Sequence, residues 1–178
     1  MKPAIFLDRD GNLIKDSGFL AEPSKAVIYS FTVKALKLLQ TKFDLFIVTN
    51  QCGIANGTIS KEGVDAVNEH IIDILSQNGI EIKECYVCPH AIGAGCKCRK
   101  PQPFFAEQAA NKYNLDLSRS YVIGDHLSDM NFAKAFGGKG IYVITGHGRR
   151  HRHQLTDDII VCKNLLYAAK KIMSLSQS

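Results

Sequence analysis

Two aspartates near the N-terminus stand where a buried strand should end. Asp8 and Asp10 flank Arg9 directly after the apolar run 4–7, and Gly11 follows them. Aspartate is a poor strand former and is costly to bury, so two carboxylates in this position need a partner such as a cation. The pair alone also fits an ordinary turn, which aspartate and glycine favour. The hypothesis is that the partner is Mg²⁺.

Polar residues also end two later apolar runs. The second run ends in Thr49 and its neighbour, and the fourth ends in Asp125. Because the carboxyl ends of parallel strands share one edge of a sheet, where ligands bind, these residues should meet Asp8. Lys100, in the loop after the third run, adds an ammonium group. Oxygen ligands for magnesium, a nucleophilic carboxylate, a lysine and a hydroxyl together suit phosphoryl transfer.

Cysteine and histidine residues between positions 88 and 98 have the spacing of a metal site. One residue separates Cys88 from His90, and Cys96 and Cys98 follow after a five-residue spacer. Four such ligands close a tetrahedral zinc site and leave no position for substrate, which predicts a structural Zn²⁺. Cys85 also has ligand spacing, but on a strand it points to the opposite face from Cys88. The alternative is a group of unrelated reduced thiols.

Length and composition favour one domain covering residues 1–178. The chain is 46% hydrophobic and 22% charged, enough to bury a core without staples. No run approaches the ~18 apolar residues of a membrane span, and the N-terminus lacks the apolar stretch of a signal peptide. A cytoplasmic protein with no membrane partner is therefore expected. A monomer is also predicted. The net charge of +5 suits an anionic metabolite as well as a nucleic acid.

Short apolar runs alternate with longer segments of helical period. This alternation predicts an α/β fold, a Rossmann-like and mainly parallel sheet flanked by helices. The predicted strands are 4–8, 44–50, 82–88, 120–125, 140–145 and 158–162. The predicted helices are 31–42, 61–78, 103–114, 127–137 and 163–175.

Four groups of residues resemble the ordered motifs of the haloacid dehalogenase (HAD) superfamily of aspartate-nucleophile phosphatases. They are DRDGN at 8–12, the strand-end Thr49, Lys100, and GDHLSD at 124–129. The resemblance covers nearly the whole chain and implies a HAD-like fold, with no room for an inserted cap domain. The stretches TNQCGIANG (49–57) and CPHAIGAGCKCRKP (88–101) are similar to the branch that contains D-glycero-D-manno-heptose 1,7-bisphosphate phosphatases and histidinol-phosphate phosphatases.

The resemblance implies a role for each residue of the acidic cluster. Asp8 attacks the phosphate to give an aspartyl-phosphate, and Asp10 protonates the leaving oxygen and then deprotonates the hydrolytic water. Catalytic Mg²⁺ is bound by Asp8, the backbone carbonyl of Asp10, and Asp125. Thr49 and Lys100 hold the phosphoryl oxygens. The implied activity is that of a Mg²⁺-dependent phosphomonoester hydrolase.

Substrate contacts are implied in the same way. Because there is no cap, loops must form the pocket for a small phosphorylated metabolite. Asp129 is expected to orient Lys100 or the metal's waters. The basic stretch 147–153 is predicted to be a solvated loop, with anion steering as the alternative. The residues expected to contact the substrate are Asp16, Ser17, Gly18, Phe19, Asn50, Gln51, Arg99 and His126.

Different features of the sequence favour two different substrates. Gly18-Phe19 and the stretch 127–130 favour removal of the C7 phosphate from heptose 1,7-bisphosphate. The short spacer between His90 and Cys96 is closer to the histidinol-phosphate type. The sequence also departs from the family pattern at Asn12, Cys52 and His126.

A hypothesis from a different class is a non-catalytic, zinc-stabilised module that binds nucleic acid through its basic loop. The tyrosines and phenylalanines fall mostly in apolar runs, where they cannot stack on bases, and no nucleic-acid motif is present. This hypothesis also leaves Asp8 and Asp10 unexplained. We therefore expect no nucleic-acid partner.

Overall fold

Six parallel strands form one sheet in the structure, a computed structural model that describes residues 1–176. The strands are β1 (Ala4–Leu7), β2 (Asp44–Asn50), β3 (Ile82–Cys88), β4 (Tyr121–Gly124), β5 (Lys139–Val143) and β6 (Ile160–Cys162). The helices are α1 (Thr32–Leu39), α2 (Lys61–Gln77), α3 (Phe104–Tyr113), α4 (Leu127–Ala135), α5 (Gly148–His151) and α6 (Leu165–Leu175). Short 3-10 turns occupy Pro23–Lys25, Leu117–Arg119 and Arg152–Gln154.

The strand order is β3-β2-β1-β4-β5-β6, so the chain builds the sheet outward from β1 and then returns to place β4 on its other side. β1 and β4 therefore flank the point where the order reverses, the usual position of a ligand crevice in an open α/β sheet. Leu7, the last residue of β1, pairs with Ile47 of β2 and Ile123 of β4. The loops that follow these three strands consequently begin at the same edge.

Two cores cover the two faces of the sheet. All four residues of β1 are buried, as expected for a strand covered on both sides. Ile5 and Leu7 pack into the core beneath α1, α2 and α6. Phe6 packs into the other, beneath α3 and α4, where its ring lies 5.4 Å from the Phe46 ring and 5.9 Å from the Phe132 ring.

The predicted α/β class and parallel sheet are confirmed. The strands 44–50 and 82–88 have the predicted bounds. The strand predicted at 140–145 begins and ends earlier, at 139–143, and the other three strands and the five long helices are present with slightly shorter ends. α6 begins at Leu165 because the Asn164 side chain caps it, accepting from the backbone N–H groups of Leu166 and Tyr167.

The predicted loop at 147–153 is wrong. Residues 148–151 form the short helix α5, and a 3-10 turn follows. The backbone N–H groups of Arg150 and His151 both donate to the carbonyl of His147. A single helical turn is too short to produce an apolar periodicity, so a pattern of charged residues gave no signal for it.

No helix in residues 1–176 has the length and hydropathy needed to cross a membrane.

Candidate active site

The polar strand ends converge on one cavity of about 170 Å³ at the carboxyl edge of the sheet. Most of the predicted site residues reach its wall, but Ser17, Gly18, Phe19 and Gln51 do not. Phe19 is exposed and packs beside Gly53, and Gln51 is buried behind the cavity wall. The cavity is lined by Asp8, Asp10, Asp16, Thr49, Asn50, Arg99, Lys100, Asp125, His126, Ser128, Asp129 and His147.

Lys100 is a buried cation at the base of the cavity. Its Nζ donates to Asp8 Oδ1 at 2.7 Å and to the Val48 carbonyl at 2.7 Å, and lies 2.6 Å from Asp129 Oδ1. Burial alone would lower the pKa of Lys100, but Asp129 and Asp8 outweigh burial and raise it above its usual value. The two carboxylates therefore favour the charged form of Lys100, and Asp129 contacts the lysine that it is predicted to orient.

Three carboxylates beside Lys100 crowd together. Asp8, Asp125 and Asp129 each offer an oxygen within 4.8 Å of the others. Burial, with Asp8 and Asp129 nearby, raises the pKa of Asp125 to about 8. Burial also raises the pKa of Asp129 to about 6, against the opposing effect of Lys100. A divalent cation would relieve this cost, and carboxylate oxygens are the ligands that Mg²⁺ prefers.

Two glycines make room for the Asp125 carboxylate. Gly11 has a φ of +74° and Gly146 a φ of +53°, a region that favours glycine. A Cβ on either residue would stand 2.2 Å from Asp125 Oδ2. The same oxygen accepts from the backbone N–H of His147 at 2.7 Å. Loops after β1 and β5 thus close around the acidic residue that follows β4.

Asp10 lies beside this cluster and is held by two neighbours. Arg9 donates to both of its carboxylate oxygens, and Gln51 Nε2 donates to Oδ2 at 2.9 Å. Burial raises the pKa of Asp10, while Arg9 acts in the opposite direction. An acid of this kind is suited to giving and accepting a proton.

The end of β2 fixes the loop that carries Lys100. The Lys100 backbone N–H donates to Asn50 Oδ1 at 3.1 Å, and Asn50 Nδ2 donates to the Lys100 carbonyl at 3.3 Å. Thr49 is buried, and its hydroxyl accepts from Gln51 Nε2 at 2.9 Å. Gln51, predicted to touch substrate, instead lies between Thr49 and Asp10.

His126 occupies the rim and starts α4. Its Nδ1 accepts from the backbone N–H of Ser128 at 3.3 Å, and Asp129 Oδ2 accepts from the His126 backbone N–H at 3.1 Å. This reciprocal capping fixes both side chains at the N-terminus of the helix. Asp16 also lines the cavity, and its Oδ2 lies 3.4 Å from Nε2 of His147.

The predicted zinc ligands form a second cluster. Cys98 Sγ lies 3.4 Å from Cys88 Sγ, 3.8 Å from Cys96 Sγ and 3.2 Å from His90 Nδ1. Cys88 Sγ lies 3.7 Å from Cys96 Sγ and 3.6 Å from His90 Nδ1. Tetrahedral zinc with Zn–S bonds of about 2.3 Å places its sulfurs about 3.8 Å apart, so the four residues fit Zn²⁺. Cys85 packs in the core of the opposite sheet face, as predicted.

Three residues of the site were not predicted from the sequence. Ser128 and His147 line the cavity, and Arg9 holds Asp10. His147 follows β5 at the same edge as the other strand ends, so the rule that found Thr49 also applies to it. Arg9 gave no signal, because a charged residue after a strand is usually exposed.

The fold and the acidic site define a hydrolase of the HAD class, and a HAD-hydrolase-like family model matches residues 97–168. A relative from Yersinia pestis named D-glycero-beta-D-manno-heptose-1,7-bisphosphate 7-phosphatase is 36% identical over 153 residues, covering 81% of each chain. A relative of the same name from Bordetella bronchiseptica is 31% identical, covering 95% of this chain and 97% of its own. The chain belongs to the family of D-glycero-D-manno-heptose-1,7-bisphosphate 7-phosphatases.

A solved structure supports the same relationship. The crystal structure of D,D-heptose 1,7-bisphosphate phosphatase from B. bronchiseptica, complexed with magnesium and phosphate, superposes with a TM-score of 0.88. It is 31% identical and the match covers 98% of this chain and 99% of that one. By family and fold the protein is a phosphoric monoester hydrolase.

Proposed function

We propose that this protein removes the C7 phosphate from D-glycero-D-manno-heptose 1,7-bisphosphate in a Mg²⁺-dependent reaction with an aspartyl-phosphate on Asp8. The observation that carries the proposal is the cluster of the partly buried Asp8 with the buried Lys100, Asp125 and Asp129 at the carboxyl edge of the sheet. The names of the relatives support the choice of sugar.

Asp8, Asp125 and the backbone carbonyl of Asp10 would hold Mg²⁺. The donor set fits because all three donors are oxygens and the carboxylates of Asp8 and Asp125 lie close together. Asp129 is less suited, because its Oδ1 is paired with Lys100. When bound, the ion would neutralise phosphoryl oxygens, which would otherwise repel a carboxylate at ~4 Å by about 4 kcal/mol at an effective dielectric of ~20.

The proposed reaction has two steps, transfer of the phosphoryl group to Asp8 and its hydrolysis, and Asp10 moves a proton in both. Asp8 attacks phosphorus, the bond from phosphorus to the ester oxygen breaks, and Asp10 gives its proton to that oxygen. Water then attacks the phosphoryl group on Asp8, Asp10 accepts the proton of the water, and the bond from Asp8 to phosphorus breaks. Thr49 and Lys100 hold the phosphoryl oxygens through both steps.

The remaining rim residues are proposed to bind the sugar. Asp16, Asn50, Arg99 and His126 line the cavity, and the guanidinium of Arg99 suits bidentate binding of the second phosphate. Ser17, Gly18 and Phe19 lie beyond the cavity wall and would reach only the outer part of the substrate.

Cys88, His90, Cys96 and Cys98 are proposed to hold a structural Zn²⁺. All four donors come from the protein, so no position is left for substrate. Arg99 and Lys100 follow Cys98 directly, and Arg99 also donates to the His90 carbonyl at 3.4 Å. The metal would therefore fix the loop that presents both cations to phosphate.

Histidinol phosphate is the second candidate substrate, favoured by the five-residue spacer between His90 and Cys96. Phosphate release should be compared for both anomers of the heptose bisphosphate and for histidinol phosphate, with Mg²⁺ present and absent. We expect one heptose anomer to give the highest kcat/KM, and Asp8→Asn to abolish release from all three. Preference for histidinol phosphate would refute the proposed substrate, and near-normal turnover by Asp8→Asn would refute the proposed nucleophile.

A further inference from the structure

A buried arginine joins the proposed acid–base residue to the second helix. Arg9 is 0% exposed although it lies between the two aspartates that follow β1. A guanidinium at that depth is costly unless its N–H groups are bonded, so its contacts indicate its role. Nε and Nη2 donate to Asp10 at 2.9–3.1 Å, and Nη1 donates to Oδ1 of Asn68 at 2.9 Å.

The two oxygens of the Asp10 carboxylate are bonded unequally. Oδ2 accepts from Arg9 Nε at 3.1 Å, from Arg9 Nη2 at 2.9 Å and from Gln51 Nε2 at 2.9 Å. Among the described residues, Oδ1 accepts only from Arg9 Nη2, at 3.1 Å. Oδ1 therefore keeps a free lone pair, whereas Oδ2 is fully engaged. The oxygen free to exchange a proton with a leaving group or a water molecule is Oδ1.

Asn68 is a polar residue among the buried positions of α2. It is 5% exposed, and the other buried residues of the helix are Val64, Val67, Ile71 and Leu75. A buried amide on an apolar face needs a partner, and the Asn68 side chain finds one in Arg9. No residue of α2 lines the active-site cavity. The contact therefore acts on the site only through the guanidinium.

We propose that Asn68 is a positioning residue for proton transfer, which it serves by holding Arg9 against Asp10. Asn68 fixes the guanidinium, the guanidinium fixes the plane of the carboxylate, and Oδ1 is left as the oxygen that transfers the proton. The inference depends on the proposed role of Asp10 as acid and base.

Four variants separate a positioning role of Asn68 from a packing role. Asn68→Leu removes the acceptor at similar size, whereas Asn68→Asp keeps an acceptor oxygen for Arg9. Val67→Ala is the matched control, because Val67 is the neighbouring buried residue of α2 and lies in the apolar core outside this network. Asn68→Ala serves as a second acceptor-free variant should Asn68→Leu fail to fold.

Turnover is measured on two substrates, the heptose bisphosphate and 4-nitrophenyl phosphate, whose leaving group departs without needing a proton. For Asn68→Leu with the sugar we expect kcat to fall roughly tenfold or more and KM to change less than about twofold, since general acid–base catalysis contributes ~10²–10⁴-fold. Asn68→Asp should recover most of the rate. With 4-nitrophenyl phosphate, Asn68→Leu should release about one nitrophenolate per active site in a fast burst, because hydrolysis of the phosphoryl group on Asp8 still needs Asp10.

Equal losses on both substrates without a burst, or the same pattern in Val67→Ala, would show a packing effect and overturn the inference. Unchanged turnover by Asn68→Leu in an active background would overturn it while the proposed function stands. Wild-type protein that hydrolyses neither ester would refute the proposed function, and the positioning role would fall with it.

Discussion

At the scale of single residues, Lys100 shows how the site keeps charge in a buried place. Its ammonium contacts Asp8 and Asp129 at 2.7 and 2.6 Å and is almost fully covered. Removing one partner of such a group leaves the others uncompensated, which is costly. With Asp125, three carboxylates surround one lysine, so the site carries more acidic than basic groups. This excess favours a bound divalent cation, and the cation in turn favours a bound phosphate ester.

The crowding of these acids predicts a dependence of stability on pH. Without Mg²⁺, the pKa is about 8 for Asp125 and about 6 for Asp129 in the folded protein, against 3.8 for an ordinary aspartate. The folded state therefore binds more protons than the unfolded state between about pH 3.8 and pH 8. The free energy of unfolding consequently falls as the pH rises through this range.

Thermal melting of zinc-replete, Mg²⁺-free protein should show this effect as a Tm that decreases from pH 5 to pH 8. Mg²⁺ binds the ionised acids, so it should raise Tm more at pH 8 than at pH 5. Asp125→Asn should flatten both trends. A Tm that increases over this range without Mg²⁺ would contradict the assignment of Asp125 to a crowded acidic site.

Residue types alone predicted part of this network. Asp8, Asp10, Thr49, Lys100 and Asp125 could be placed in one cavity because each lies at the end of a strand or in the loop that follows it, and strand ends meet at one edge. The hydrogen bonds from Gln51 and Arg9 to Asp10 could not be predicted, because they depend on the side-chain conformations of residues that lie outside regular strands or at their ends. Alternation along an extended chain says nothing about such contacts once the strand has ended.

At the scale of elements, the approach of three loops at the β1/β4 crevice shapes the site. Asp125 follows β4, and Gly11 and Gly146 belong to the loops after β1 and β5. A side chain on either glycine would collide with the Asp125 carboxylate, and the backbone N–H of His147 donates to that carboxylate. Small residues are therefore required where the loops meet.

Gly11→Ala should destabilise the protein by about 1–3 kcal/mol, through the positive φ and the collision with Asp125, and should weaken activation by Mg²⁺. Gly79→Ala is the control, because Gly79 has the same φ of +74° with nothing within 4 Å of the added Cβ. The loss of stability in Gly79→Ala should come from the strained backbone alone, and activation by Mg²⁺ should be unchanged. Chemical denaturation and Mg²⁺ titration of activity measure both effects, and equal results for the two variants would contradict the proposed packing.

The cluster of Cys88, His90, Cys96 and Cys98 is the second feature that positions loops at the site. It lies at the end of β3 and in the loop that carries Arg99 and Lys100, and Asn50 of β2 bonds to the same loop. Structural zinc contributes folding energy directly, so loss of the metal should loosen this loop before it affects the sheet.

Cys96→Ser should therefore lower zinc content from one ion per chain and speed hydrogen exchange in residues 88–100 more than in β1 and β4. Turnover should fall, because Lys100 is no longer held. Cys162→Ser is the control, since Cys162 ends β6 outside the cluster. Metal analysis and exchange mass spectrometry give the readout. Zinc-free wild-type protein with an equally protected loop would refute the zinc proposal.

At the scale of the whole molecule, the strands could be predicted because strands buried on both faces of a parallel sheet form short, continuous apolar runs. The helices differ from them in sequence by their longer segments of helical period. The order of the strands, β3-β2-β1-β4-β5-β6, was not predicted from the sequence and comes from the structure. The short helix α5 was missed, since one turn of arginine, glycine and histidine has no apolar stripe. The predicted monomer stays a prediction.

The central claim is that Asp8 becomes phosphorylated at the edge where the polar strand ends meet. Rapid quenching during turnover of the heptose bisphosphate, followed by borohydride reduction, converts an aspartyl-phosphate to homoserine, which peptide mass spectrometry can locate. We expect homoserine at position 8 in the wild type with Mg²⁺, and none in Asp8→Asn. Rapid turnover with no modification at position 8, or modification at another aspartate, would contradict it.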